Sequence, residues 1–348
     1  VSNWAAPRAR LLAWYDAHAR DLPWRRTRDP YAIWVSEIML QQTRVETVIP
    51  YYERFLARFP SAHALADAPL DDVLAHWSGL GYYRRARLLH EGARAVASEH
   101  AGQVPREAHL RRALPGVGRY TAGAIGSIAF DLPEPIVDGN VARVLARVLA
   151  LEAPLGTRDA ERALWQAAAE WAEGERPGAL NQALMELGAR VCLPQRPRCA
   201  ECPLAEHCQA RADGRAESLP VVPPKKPPKP VNLVALAAFD DAGRVWLQRG
   251  EENLFGGLWS LPSVEGSTRA SVVELAPTTA LEGVLSRRAV GELKHVLTHR
   301  VLSVRVYVQR AASGVRSAAL KPVALSEIGR LGTATLTRKL LALAGGGS

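Results

Sequence analysis

Four cysteines stand within seventeen residues, at Cys192, Cys199, Cys202 and Cys208, spaced C-x6-C-x2-C-x5-C, and the chain has no others. Disulfides need an oxidising compartment, and no signal peptide opens the sequence. Zinc usually takes its cysteines as two close pairs set far apart. Four soft thiolates with uneven gaps suit an iron–sulfur cluster at least as well. Upstream lie two carboxylates of interest. Glu37 sits among Ile33, Trp34, Ile38 and Leu40, a run too apolar for a solvent face. Burial there raises a carboxyl pKa toward the range of a general acid. Gln41 follows at i+4 on the same face. Asp138 comes after Pro133 and Pro135 and before Gly139, where an aspartate serves as a helix N-cap. Leu114-Pro115-Gly116-Val117-Gly118 reads as the end of one helix and the start of another. Gly116 and Gly118 let the backbone approach a phosphate at a helix N-terminus, which positions nucleic acid without reading bases.

Helical elements must position these groups. Residues 8–19 repeat apolar positions at helical spacing, and Asp29-Pro30 pairs an N-cap acceptor with proline at the first helical position. The helix so started runs through Thr43. Further helices are expected near 45–58, 70–77, 84–99, 106–113, 119–129, 139–150, 159–173 and 178–190, separated by Gly- or Pro-marked turns. Residues 212–231, with Pro220-Val221-Val222-Pro223-Pro224-Lys225-Lys226-Pro227-Pro228-Lys229-Pro230, read as an unpaired polyproline-type spacer. Strands follow. Val231–Phe239 and Val245–Arg249 flank an Asp240–Gly243 turn as a hairpin, and Val301–Val308 alternates with period two. Helices are plausible near 268–275 and 334–344. The expected organisation is multidomain: helical residues 1–211, a linker 212–231, and an α+β module 232–345. The glycine-rich end, 345–348, reads as disordered.

The 348 residues carry a formal net charge of +9, which favours an anionic partner. No apolar run approaches a membrane span. Lysine is absent before Lys225, so the cations of the helical part are arginines, suited to bidentate phosphate contact.

Taken together, the cysteine loop, the glycine hairpin and Val137-Asp138-Gly139-Asn140-Val141 resemble, in order, the 4Fe–4S loop (192–208), helix-hairpin-helix (about 108–128) and catalytic aspartate segment of the endonuclease III family of DNA glycosylases. The likeness spans about residues 10–210. Val35-Ser36-Glu37-Ile38-Met39-Leu40-Gln41-Gln42-Thr43 resembles that family's adenine glycosylase branch, the MutY type. The resemblance implies a six-helix-type barrel, a 4Fe–4S cluster on the four cysteines, and double-stranded DNA containing A:8-oxo-G or A:G as partner. It makes Glu37 the acid that protonates N7 of an extruded adenine. Asp138 becomes the carboxylate facing the sugar, with Asn140 orienting it or a water.

Position 120 is where strand-nicking relatives carry a Schiff-base lysine. Here it is Tyr120, expected to bond Asp138 or the transition-state charge, and no lysine stands elsewhere in the helical part. A monofunctional glycosylase follows. By the same likeness Tyr82 wedges beside the partner base with Gln42, Thr43 and Leu80 near it. Trp24, Arg25 and Met185 line the adenine pocket, and Arg196 and Arg198 touch phosphate. Gly256-Gly257-Leu258-Trp259-Ser260-Leu261-Pro262 resembles the start of a Nudix hydrolase core. Val264–Arg300 holds no R-E-x-x-E-E helix for magnesium, so the second module reads as a recognition domain. Its family presents Phe-Ser-His where this chain has Leu297-Thr298-His299. A monomer in the bacterial cytoplasm, at the nucleoid, is expected.

Overall fold

The periodic stretches of the first part are helices, and the alternating stretches of the last part are strands. The computed structural model describes residues 4–224, 227–250, 255–278, 283–311 and 317–345, so the terminal 346–348 and Lys225-Lys226 of the expected spacer lie outside the described residues. Two compact units emerge, Val1–Ala66 with Glu91–Pro224, and Asp67–His90 with Lys225–Ser348. Among the described residues no helix is long and apolar enough to cross a membrane.

The helices of the chain's first part are α1 (Ala5–His18), α2 (Pro30–Leu40), α3 (Val45–Arg58), α4 (Ala62–Ala66), α5 (Leu70–Trp77), α6 (Arg84–Glu99), α7 (Ala108–Ala113), α8 (Arg119–Phe130), α9 (Gly139–Val148), α10 (Arg158–Ala172), α11 (Pro177–Arg190) and α12 (Gln209–Ala212). Caps set several starts as the sequence predicts. Asp29 accepts from the Tyr31 amide with Pro30 at the first position, Asp138 caps α9, and Thr157 caps α10. Helix α2 is buried from Tyr31 to Met39, on every face. A helix that apolar all round belongs in the core, and it carries Glu37 in with it. Behind the site, Leu145 of α9, Leu164 and Trp171 of α10, and Leu184 and Leu187 of α11 pack into one core with Leu11 and Ile33.

The segment expected as a free spacer is partly anchored. Leu219 is buried and its carbonyl accepts from Arg147 Nε at 2.8 Å, while Leu155 N donates to Val221 O at 2.9 Å. Strand pairing also starts earlier than expected, at β1 (Lys229–Phe239), whose Lys229 and Pro230 pair with Arg300 and Val301. Proline is tolerated there because it sits at the strand's first residues.

In the second unit β1 and β2 (Val245–Arg249) form the predicted hairpin, paired at Phe239 and Val245 around a turn in which Asp240 Oδ1 accepts from the Ala242 and Arg244 amides. Strands β3 (Trp259–Ser260), β4 (Ser263–Glu265), β5 (Gly283–Leu285), β6 (Gly291–Val296), β7 (Arg300–Ala311) and β8 (Leu320–Val323) complete a mixed sheet, order β3-β2-β1-β7-β5, with β4 on β1, β6 on β7 and β8 on β2. The long partner of β1 is β7, parallel from Lys229↔Arg300 to Phe239↔Arg310. Two helices cover the two faces. Leu336, Leu340 and Leu341 of α14 (Thr335–Gly345) pack on Leu302, Val304 and Val306. Val272 of α13 (Arg269–Thr278) packs on Val234, Leu236 and Tyr307.

Trp171 is fully buried behind α9 and α11. Trp171→Ala is expected to lower the stability of the helical unit by about 3–5 kcal/mol, read as an earlier urea midpoint for loss of helical circular dichroism.

Candidate active site

A cleft of about 530 Å³ lies within the first unit, in the size range of ligand pockets. Helix α2 sends Glu37 into it, α8 sends Tyr120, and the start of α9 sends Asp138 and Asn140. The 3₁₀ turn Pro23–Arg25 supplies Trp24 and Arg25, and α11 supplies Met185 and Glu186; α2 stops at Leu40, short of the expected Thr43, and the turn after it, with Gln42 at φ +56°, supplies Gln41, Gln42 and Thr43. Ten sequence-predicted residues (four catalytic, six for the base) therefore share one wall.

Glu37 is buried, and its Oε2 accepts from the Tyr120 hydroxyl at 2.7 Å. Burial drives its pKa up to about 7, against the Tyr120 hydrogen bond and with help from the Asp138 charge. The same burial, with Glu37 and Asp138 nearby, holds the Tyr120 hydroxyl well above its ordinary range, so it remains a donor. This corrects one expectation: Tyr120 bonds Glu37, not Asp138. The reason is placement, since α8 turns residue 120 toward α2 while Asp138 spends its oxygens on its own helix. Asp138 Oδ1 accepts from Val141 N at 2.7 Å and Oδ2 from Asn140 Nδ2 at 3.0 Å. Burial raises the Asp138 pKa, opposed by those bonds and by Arg143. Gln41 Nε2 reaches Thr121 Oγ1 at 3.4 Å, and Thr43 Oγ1 donates to Gln41 O at 3.3 Å.

Three residues near the cleft escaped sequence reasoning. Glu186 is fully buried; Arg20 grips both its oxygens at 2.8 and 2.9 Å, and Arg25 Nη2 adds a third bond at 2.9 Å. Burial pushes this carboxyl up, but the two arginines outweigh it and hold it at about 2. Its apolar neighbours, Leu184 and Leu187, are the signal that picked out Glu37 and was not applied here. Arg143 donates to Asn140 Oδ1 at 2.8 Å, to Gly188 O at 2.7 Å and to Cys192 O at 2.7 Å. It ties the amide beside Asp138 to the first cysteine. Gly188 lets α11 come that close, since a Cβ there would lie 2.6 Å from Asn140 Cβ.

All four cysteines line one small cavity together with Arg147, Arg198 and Arg211. Among the described residues no group of three His, Cys, Asp or Glu closes on a single metal ion. Four soft sulfur donors around one cavity suit an inorganic centre. Arg147 supports that fit. It is buried, its donors go to Leu219, Leu193 and Pro194 carbonyls and to Cys192 Sγ at 3.2 Å, and among the described residues no carboxylate pairs with it. Thiolates holding such a centre would supply the negative charge that this guanidinium otherwise lacks among the described residues. Arg196 is exposed with φ +48°, and the exposed Arg198 stands 3.9 Å from Glu201.

The glycine hairpin joins α7 to α8, with Gly116 at φ +75° and Gly118 as the cap of α8. Buried Arg111 clamps it through Ala122 O and Pro105 O, both at 3.1 Å, and through Glu134. Four predicted residues belong to the second unit. Leu80 is buried; Tyr82 is exposed, and its hydroxyl bonds Thr298 Oγ1; His299 is exposed beside it in sequence.

Both parts of the chain are similar to known proteins. Residues 35–170 match the HhH-GPD superfamily of base excision DNA repair proteins, and residues 234–343 match the NUDIX domain. The adenine DNA glycosylase of Rattus norvegicus is 40% identical over 88% of this chain and 71% of its own length; that of Homo sapiens is 39% identical over 88% and 67%. A solved thermostable thymine-DNA glycosylase is 30% identical, with a TM-score of 0.53, covering 59% of this chain and 95% of that one. The fold and site thus define a base-excision glycosylase, a hydrolase of N-glycosidic bonds. The chain belongs to the adenine DNA glycosylase family.

Glu37 predicts a pH effect on stability. A free glutamate loses its proton near 4.5, whereas this one keeps it to about 7. The unfolded state therefore holds fewer protons in that window, and stability falls as pH rises from 4.5 to 7, then stays level. Glu37→Gln removes that fall. The urea midpoint of the variant should exceed the parent's more at pH 8 than at pH 4.5; an unchanged difference would show Glu37 ionised in the fold.

Proposed function

We propose that this chain excises adenine paired with 8-oxo-guanine or guanine from double-stranded DNA, by hydrolysis and without strand cleavage. The observation that carries the reading is the shared cleft of Glu37 and Asp138, two acids in different environments. Such a pair divides acid and base work. Adenine leaves poorly as an anion. Glu37, still protonated near neutral pH, delivers its proton to the ring nitrogen N7, and the base departs neutral. The Tyr120 hydroxyl stays on Glu37 Oε2 and steadies the carboxylate that remains. Ionised Asp138, aimed by the Val141 amide and Asn140, stabilises positive charge at C1′ of the deoxyribose until water adds. Trp24, Met185 and the Glu186–Arg25 pair wall the extruded base.

Cys192, Cys199, Cys202 and Cys208 would hold a 4Fe–4S cluster, which when bound supplies a fixed anionic anchor for the loop and for Arg147. The hairpin at Gly116 and Gly118, with Arg196 and Arg198, faces phosphate. Tyr82 enters the stack, and Thr298 and His299 read the oxidised guanine. The second module, without magnesium glutamates, binds and does not hydrolyse.

Single-turnover assays on A:8-oxo-G, A:G and thymine-glycol duplexes test the substrate. Adenine should leave A:8-oxo-G fastest, with no release of thymine glycol; comparable release of thymine glycol would overturn the assignment. Glu37→Gln should slow base release about 10²–10⁴-fold while DNA binding persists. Because no lysine stands in the helical part, borohydride should trap almost no covalent protein–DNA adduct; efficient trapping would overturn the hydrolytic reading.

A further inference from the structure

The loop that carries Tyr82 is held from the far end of the chain. Between α5 and α6 the backbone takes three positive φ values, +108° at Gly79, +75° at Gly81 and +49° at Tyr82. Glycine accepts such values freely, but a tyrosine does so only where its surroundings over-determine it. Local bonds account for part of this. Trp77 Nε1 and Arg85 Nη2 both donate to Gly81 O, at 3.1 and 3.2 Å, and Gly79 N donates to the Tyr83 hydroxyl at 3.1 Å.

The rest comes from residues 332–338, which share a compact unit with this loop. Arg338 Nε donates to Thr333 Oγ1 at 3.0 Å and its Nη2 to Ser78 Oγ at 2.8 Å. Ser78 Oγ in turn donates to Thr333 O at 3.2 Å, and the Tyr83 hydroxyl reaches the same carbonyl at 3.5 Å. Both shoulders of the turn, Ser78 and Tyr83, thus converge on one buried threonine. That threonine is fixed in its own module: it bridges Trp259, and the neighbouring Gly332 O accepts from Trp259 N at 2.8 Å. Gly332 also permits the close approach, because a Cβ there would meet Leu74 Cβ of α5 at 2.5 Å.

We propose that Arg338, with Thr333, is a positioning residue for adenine excision, acting through Ser78 to hold Tyr82 in the strained conformation that points its ring out of the loop. The tyrosine that opens the duplex is aimed by the recognition module, which also contacts its tip through Thr298. The inference rests on the reading of Tyr82 as the wedge.

A double-mutant cycle in the full-length chain separates positioning from general support. Single-turnover adenine release from an A:8-oxo-G duplex is measured for Arg338→Ala and Ser78→Ala, each alone and each with Tyr82→Ala. Each is expected to cost about tenfold with Tyr82 present and less than about twofold once Tyr82 is gone, a coupling within the range seen for contacting residues. Ser78→Ala removes one hydroxyl from the joint and serves as the readout if Arg338→Ala folds poorly. Equal losses in both backgrounds, or no loss in either single variant, would overturn the inference while leaving Tyr82 as the wedge. Full activity in Tyr82→Ala alone would instead overturn the wedge reading itself, and this inference with it.

Discussion

A carboxyl group taken out of water governs this site. Helix α2 is apolar on all sides and must be buried, so Glu37 is buried with it. The desolvated acid has one donor, the Tyr120 hydroxyl, and its proton is retained to about 7. The same cleft holds two more carboxylates under different terms. Asp138 is raised by burial but receives an amide and an Asn side chain; Glu186 is driven to about 2 by Arg20 and Arg25. Burial pushes all three acids up, and what donates to each sets how far that push is opposed.

Keeping these donors in place is the work of half-buried Arg143 and buried Arg147. Arg143 spans from Asn140 to Cys192, so the loop with the cysteines and the N-terminus of α9 are held by one guanidinium. Arg147, one turn further along α9, binds the next stretch of the same loop and the start of the tether. A planar guanidinium holds five donors in a fixed fork and can reach several acceptors along a loop; an ammonium offers three from one point. The absence of lysine from this half of the chain thus has a structural side as well as a chemical one. Gly188 completes the arrangement by removing the one Cβ that would push α11 off Asn140.

Much of this was legible in the sequence, and the gaps have a common cause. Helix positions followed from periodicity and caps because those signals are local: Asp29-Pro30 and Asp138 start their helices as read. Glu37 stood out because its neighbours are apolar. That Tyr120 bonds Glu37 and not Asp138 depends on how α8 faces α2, a long-range matter that no spacing records. Arg143 lies three residues after Asn140 and looks like any helix charge; its acceptor at Cys192 is 49 positions away. The parallel pairing of β1 with β7 is similarly silent, since a period of two reports which face is buried but not which strand lies alongside. Pro230 was read as excluding a strand, when its place at the start of β1 costs no needed amide.

The second module is a mixed sheet with a helix on each face. Helices α13 and α14 pack on the two faces of the sheet, and the turns between strands are exposed. One such turn joins β6 to β7 through Leu297-Thr298-His299, closed by Leu297 N donating to Arg300 O at 2.8 Å. Where relatives by resemblance place a phenylalanine, Leu297 packs against the sheet core. The apolar residue acts as the anchor, and any side chain that fills the core serves that end. Thr298 and His299 are then the outward pair, and Thr298 meets the Tyr82 hydroxyl. The departure from Phe-Ser-His thus keeps an apolar residue seated on the sheet core and leaves a hydroxyl and an imidazole facing outward.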